Sequence, residues 1–153
     1  MKHIFGIFLA LFVVSGAYAT SATVLEVVDG DTIVVVIPSD TENDVVQKVQ
    51  FANANAPEFP ATCSAVKQIA QQAQDRAKAL MPQGTTVELK NIKENDKYKY
   101  VEANVVLPDG RDVGEILIKE KLAKTYDGKN HEPWCKKKVG VPGSSVQKKP
   151  KSK

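Results

Sequence analysis

The chain has 153 residues, of which 42% are hydrophobic and 25% charged, so it is long enough for one domain with a buried core. Its net charge of +3 is unevenly distributed: residues 136–153 hold seven lysines and no acid, whereas residues 20–135 hold 13 basic and 18 acidic side chains, a net charge of −5. An acidic body disfavours nucleic-acid binding through the folded surface, because phosphate contacts supply most of the affinity in such complexes.

The first 19 residues have the pattern of a secretory signal peptide. Lys2 precedes an apolar run over residues 4–14, and Ala17-Tyr18-Ala19 supplies a cleavage pattern, so we expect removal of residues 1–19. The run is shorter than the ~20 residues that a membrane helix needs. No later apolar run is long enough either, so we expect an exported protein, periplasmic or secreted, without a transmembrane segment in the mature chain.

Five strands follow from alternating apolar residues and turn signals. The predicted strands span residues 22–28, 32–37, 45–52, 85–92 and 98–107. Asp29-Gly30 predicts a tight hairpin between the first two strands. Short connections predict that the first three strands form an antiparallel meander.

Two helices are predicted. Apolar residues recur at helical spacing over 64–81, with Ser64 as a candidate N-cap. Asp112 is the candidate cap of a second helix over residues 113–121, and residues 122–126 are expected to return as a short extended piece. The inner side of the second helix is marked by Val113, Ile116, Leu117 and Glu120.

The order of these elements predicts an α+β fold dominated by β structure, a five-stranded barrel of the OB type with two helices. The predicted domain covers residues 20–135. Barrels of this type bind oligonucleotides or oligosaccharides, but the fold alone does not decide the function.

The two cysteines, Cys63 and Cys135, allow a single pairing. Export favours a disulfide over two free buried thiols, and closing a loop of about 72 residues would stabilise the fold by roughly 4 kcal/mol. Beyond Cys135, the segment KKKVGVPGSSVQKKPKSK predicts a disordered basic tail over 136–153. Binding of polyanions or anionic lipid and a merely solvated terminus remain equal alternatives for this tail.

Two motifs carry candidate chemistry. In VVDGDTIVV, Asp29 and Asp31 flank a turn glycine, which is typical either of hairpin turn chemistry or of oxygen ligands for Ca²⁺. In FANANAPEFP, Glu58 is a candidate general base on a loop, yet it follows two amides, Asn53 and Asn55, where phosphate chemistry would call for charge.

These two motifs, with DKYKYVEANVVLPDGRDVGEILIKEKLAKTYDG and the closing PWC, resemble the staphylococcal nuclease (thermonuclease) family over about residues 22–135. The positions of the two cysteines resemble those of the cysteines that recur in an exported bacterial branch of that family. The resemblance implies a calcium-dependent phosphodiesterase that acts on DNA and RNA. In such an enzyme two carboxylates and a carbonyl hold Ca²⁺, a glutamate activates water, and two arginines clamp the phosphate.

The resemblance assigns five functional positions, of which two keep their residue. Asp31 matches the first metal carboxylate and Glu58 the water-activating glutamate. Asn55 stands in place of the second metal aspartate, and Gln50 and Tyr100 stand in place of the two arginines. Each lost transition-state donor typically costs 10²–10³-fold in rate, so the resemblance predicts a loss of ~10⁵-fold if the effects add even in part.

Other charged residues are weighed as substitutes. Lys48 lies two residues before Gln50 on the same strand face, and Lys99 neighbours Tyr100, so both are candidate phosphate-binding surrogates, although a lysine lacks the bidentate fork of an arginine. Val66 stands where the exported branch has a further acid. The helix positions of Arg76 and Arg111 indicate structural or solvated roles.

His131 is interpreted as a surface residue of a polar loop.

The sequence leads to three hypotheses about function. The first is a catalytically degenerate exported relative that acts as a binding or interaction module. The second is an active nuclease with a rearranged site built on Glu58, Asp31 and surrogate lysines. In the third, the tail binds anionic lipid or DNA while the barrel binds a protein partner.

Overall fold

A computed structural model describes residues 19–41, 43–59, 61, 63–95, 99–129 and 133–135. The predicted signal peptide, apart from Ala19, lies outside these residues, as do the basic tail and His131. Within the described residues no helix is both long and apolar enough to cross a membrane.

A closed five-stranded barrel forms the body of the protein, and this confirms the predicted fold. Its strands are β1 (Thr20–Asp29), β2 (Thr32–Ile37), β3 (Val45–Phe51), β5 (Thr86–Asn95) and β6 (Tyr100–Val106). β1, β2 and β3 form the predicted antiparallel meander, whereas β3 pairs with β6 in parallel and β5 closes the barrel against β1. The inward residues alternate along each strand and are fully buried, for example Val24, Ile33, Val35, Val49, Phe51 and Leu89.

The predicted strand bounds needed small corrections. β1 begins two residues earlier than predicted because residues 20–23 pair with β5. β5 continues to Asn95, since its second half pairs with β6. A short strand, β4 (Ala54–Asn55), pairs with β7 (Lys124–Thr125), so Asn55 lies in a strand and not in the predicted loop, and the extended piece is shorter than predicted.

The first helix, α1 (Lys67–Leu80), follows a 3₁₀ turn over Ser64–Val66. The predicted cap by Ser64 is wrong: the N-cap position of α1 is Val66, without a side-chain hydrogen bond. The reason is that Ser64 lies within the 3₁₀ turn, a full turn before the first N–H groups of α1. Small buried residues, Ala70, Ala73 and Ala77, let α1 approach the barrel closely.

The second helix, α2 (Val113–Lys119), is shorter than predicted by two residues, because Lys121 has a left-handed backbone conformation. The Asp112 cap is confirmed, since its Oδ1 accepts a hydrogen bond of 3.0 Å from the backbone N–H of Glu115. Val113 and Leu117 are buried as predicted. Glu120 is exposed and pairs with an arginine of α1, so it does not belong to the buried side.

Candidate active-site cavity

A cavity of about 580 Å³ opens on one side of the barrel. The β1–β2 turn, β3, the loop after β4, the start of β6 and the segment before Cys135 meet around it. Its lining consists of Asp29, Asp31, Thr32, Lys48, Gln50, Asn55, Ala56, Pro57, Glu58, Ala61, Val66, Tyr100, Pro133, Trp134 and Cys135. The structure therefore gathers all five positions that the resemblance assigned, from residues up to 69 apart in the chain.

Asp31 is the buried carboxylate of this cavity, with 5% of the residue exposed. Its Oδ2 accepts a hydrogen bond of 2.7 Å from the backbone N–H of Ala56, and its Oδ1 accepts one of 3.0 Å from the hydroxyl of Thr32. Desolvation by burial outweighs these bonds and raises the pKa of Asp31 to about 6. Asp31 is thus held in place by the loop that carries Glu58.

Asp29 makes a parallel contact with the same loop. Its Oδ1 accepts a hydrogen bond of 2.9 Å from the backbone N–H of Phe59. Pro57, between these two anchors, is fully buried, whereas Glu58 is exposed. The Asp-Gly-Asp turn therefore binds the Pro-Glu loop on both sides of Glu58, and the carboxylate of Glu58 is presented to the cavity from a restrained backbone.

The three replaced positions all line the cavity. Gln50 lies on β3, paired with Thr32 of β2 and with Glu102 of β6. Tyr100 is the first residue of β6, and its hydroxyl accepts a hydrogen bond of 3.3 Å from the side chain of Asn95. Asn55 is buried, with 8% exposed. Each of the three is uncharged, so none supplies the charge of the residue that it replaces.

Lys48 lines the cavity on the same strand face as Gln50, as the sequence predicted. Lys99 does not belong to the lining; it lies in the turn before β6 with a φ of 54°. Val66 lines the cavity as an apolar residue.

Both arginines of the sequence are engaged in ion pairs outside the cavity lining. Arg76 on α1 donates to the carboxylate of Glu120 through Nη2 at 2.7 Å and through Nε at 2.8 Å, and Arg111 contacts Asp109 at 2.7 Å. Arg111 lies before the N-cap of α2, so its predicted helix position was wrong, although its solvated role is consistent with this pair. The cavity therefore has no arginine, because the sequence holds no third one.

The donors around Asp31 do not fit a calcium site of the family type. Ca²⁺ takes about six to eight oxygen ligands and favours several carboxylates. Here one buried carboxylate has both oxygens engaged in hydrogen bonds, and an amide stands at the second acidic position. Within the part of the chain that the structure describes, no three His, Cys, Asp or Glu side chains converge closely enough to hold a metal ion.

The wall formed by Trp134 was not predicted as part of the site. Its indole N–H donates a hydrogen bond of 3.2 Å to the backbone carbonyl of Asn55, and the amine of Lys124 lies 4.8 Å from its ring centroid. The predicted disulfide between Cys63 and Cys135 is confirmed and ties this wall to the segment after the Pro-Glu loop. The PWC motif was the available signal, since a cysteine bridged back to that loop must bring its neighbour Trp134 along.

Asn53, grouped with Asn55 in the sequence, does not line the cavity. Its side chain donates a hydrogen bond of 2.9 Å to Asp112, the cap of α2. Asn104 donates to the other oxygen of the same carboxylate at 3.0 Å. Asn53 thus has a structural contact at the start of α2, and only Asn55 belongs to the candidate site.

Comparison with known families gives one match. Residues 48–141 match the model described as staphylococcal nuclease homologue, which covers more than half of the chain. The comparison with curated proteins finds no match. The matched range contains Gln50, Asn55, Glu58 and Tyr100, whereas Asp31 precedes it. The family match therefore gives no information on Asp31, and its place in the cavity is known from the folded structure.

Proposed function

Because the chain belongs to the staphylococcal nuclease homologue family, we propose that it is an exported nuclease-fold protein that has lost most or all phosphodiesterase activity and serves as a binding module. The observation that carries this proposal is the charge of the cavity. Its lining holds three carboxylates, Asp29, Asp31 and Glu58, one lysine and no arginine.

The electrostatic potential of this cavity is unfavourable for a phosphodiester. Phosphate carries negative charge, and its transition state needs donors that stabilise a further build-up of charge. Gln50 and Tyr100 can each donate a neutral hydrogen bond, but neither forms the charged, bidentate fork of an arginine. The three acids repel the substrate, and the oxygen donors do not fit Ca²⁺, which would otherwise offset that repulsion.

Export is part of the same proposal. It is supported by the signal-peptide pattern of residues 1–19 and by the disulfide, which is typical of oxidising compartments. The partners that we propose are a protein ligand of the barrel and weakly bound DNA or RNA, the latter held partly through the basic tail.

A second candidate function is a slow nuclease with a rearranged site. The presence of Lys48 in the cavity, together with Asp31 and Glu58, favours it. Lys48 lies on the same face of β3 as Gln50, so its amine can supply one positive charge near the position of the lost clamp. It supplies that charge without the geometry of a fork.

Cleavage assays distinguish these candidates. The chain from residue 20 onward, with its disulfide formed, is assayed on DNA and RNA with Ca²⁺ and with chelator, beside the triple variant Gln50→Arg, Asn55→Asp, Tyr100→Arg. We expect the triple variant to cleave at least ~10²-fold faster than the wild type, because it regains two transition-state donors and one metal carboxylate. Calcium-dependent turnover of the wild type equal to that of the triple variant would contradict the proposal.

Two further variants serve as a charge-matched control and as a test of the role of Lys48. Gln71→Arg adds the same net charge on an exposed position of α1, so it should not raise the rate. Lys48→Gln in the wild-type background should abolish any residual cleavage if the second candidate is correct. If residual cleavage persists in Lys48→Gln, the surrogate role of Lys48 is excluded.

A further inference from the structure

The basic tail, residues 136–153, begins directly after a residue that lines the cavity. Cys135 lines the cavity and is held there by its disulfide to Cys63. The 18 residues that follow it span up to ~60 Å when extended at ~3.3 Å per residue. The tail is therefore tethered within reach of every residue that lines the cavity.

The charges of the tail and the cavity are complementary. The tail holds seven lysines and no acid, and the cavity holds three carboxylates against the single amine of Lys48. Covalent attachment through a short linker gives such a segment an effective concentration on the order of millimolar at its own attachment site. Even weak lysine–carboxylate pairs are then populated, since no translational freedom is lost when they form.

An apolar strip continues from the cavity along the outer face of β2 and β3. It consists of Val34, Val36 and Val46, with Val34 paired with Lys48 and Val36 paired with Val46. Val46 is 64% exposed, and the other two are half-buried. The tail carries Val139 and Val141, whose spacing places both side chains on one side of an extended segment.

We propose that residues 136–153 bind back over the cavity, with lysines against Glu58 and its acidic neighbours and with valines on the strip of Val34, Val36 and Val46. This inference rests on the proposed function in one respect, since it takes the cavity as a binding site and not as a phosphodiesterase site. The tail then competes with any other cationic ligand of the cavity.

Trp134 makes the inference measurable, because it is the single tryptophan of the chain and it lines the cavity. The probe is a synthetic peptide of residues 136–153, which contains no aromatic residue. It is titrated into the wild-type chain and into a tail-neutral chain in which all seven tail lysines are glutamine. We expect the peptide to bind the tail-neutral chain at least about tenfold more tightly, because its own tail no longer competes.

Site specificity is tested in the tail-neutral background. Glu58→Gln should weaken peptide binding about threefold, whereas Glu115→Gln, which removes the same charge from the exposed first turn of α2, should leave it unchanged. Near-ultraviolet circular dichroism verifies that each barrel is folded. Equal effects of Glu58→Gln and Glu115→Gln would overturn the proposal, since they would indicate general attraction to an acidic body.

Two other results also overturn it. One is binding of the peptide to neither chain. The other is equal affinity of the peptide for the wild-type and tail-neutral chains; if tail neutralisation lowers oligonucleotide affinity at the same time, the tail is assigned to polyanions. Fluorescence decides this inference and cleavage assays decide the proposed function, so that the failure of one is distinguished from the failure of the other.

Discussion

The buried carboxylate of Asp31 accepts a hydrogen bond of 2.7 Å from the backbone N–H of Ala56, and this contact joins the β1–β2 turn to the Pro-Glu loop. Asp29 holds the other side of that loop through Phe59. The two acids of the turn, interpreted in the sequence as turn residues or as cation ligands, thus position the loop that presents Glu58. These two bonds hold the loop through its backbone N–H groups.

Asp31 should make stability depend on pH. Its pKa in the folded protein is about 6, above the value of 3.8 for an exposed aspartate, so the folded state binds this proton more tightly than the unfolded state does. The contribution of Asp31 to the free energy of unfolding is therefore full below about pH 4 and falls by about 3 kcal/mol as the pH rises through about 6.

Urea unfolding of the wild type and Asp31→Asn at about pH 4 and about pH 8, with chelator present, tests this expectation. The difference between the two free energies of unfolding should shift by about 2.5 kcal/mol against the wild type between these two pH values, because the amide does not titrate. A difference that stays constant over this range would show that Asp31 is not desolvated in solution.

Gly30 is required by close approach and not by its backbone angles. A Cβ at this position would lie 2.7 Å from the Cβ of Ala73 on α1 and 2.8 Å from that of Ala56. We expect Gly30→Ala to lower the free energy of unfolding by about 1–3 kcal/mol through overpacking. In a double-mutant cycle, Ala73→Gly should recover part of this loss, and strictly additive effects would contradict the contact.

Asp112 should be the most sensitive acid around α2. It caps the helix and also accepts hydrogen bonds from Asn53 and Asn104, so Asp112→Ala removes a cap and leaves two amides without this partner. We expect a loss of about 2–3 kcal/mol in urea unfolding. Asp109→Ala is the matched control: its carboxylate is exposed and contacts only Arg111 among the described residues, so no measurable change is expected. Equal losses would exclude the capping role.

Local patterns predicted the barrel well, and the reasons are physical. Alternating apolar residues identified β2 to the residue, since the inward positions Ile33 and Val35 must be buried on one face of a pleated strand. The Asp112 cap was also predictable, because a cap depends on residues within one helical turn. The start of α1 was not predictable, because a 3₁₀ turn separates Ser64 from the helix and no local signal distinguished the two.

Parts of the site followed from the sequence and parts did not. The resemblance selected Asp31, Gln50, Asn55, Glu58 and Tyr100, and the structure brings all five to one cavity. Asn53 was grouped with Asn55 because the two are near in sequence, yet β4 begins between them. The side chain of Asn53 contacts Asp112 at the start of α2, whereas Asn55 lines the cavity. The Trp134 wall was missed because its contact with Asn55 spans 79 residues.

The sequence by itself determined the succession of strands and helices in a small barrel, the single possible disulfide and a chain with two arginines and an acidic body, because these properties depend on composition and on neighbours along the chain. Only the tertiary structure decided where the charges lie: both arginines in ion pairs outside the cavity lining, three carboxylates in it, and the tail tethered at its wall. Such placements depend on contacts between residues far apart in sequence, and these contacts exist only once the barrel has closed.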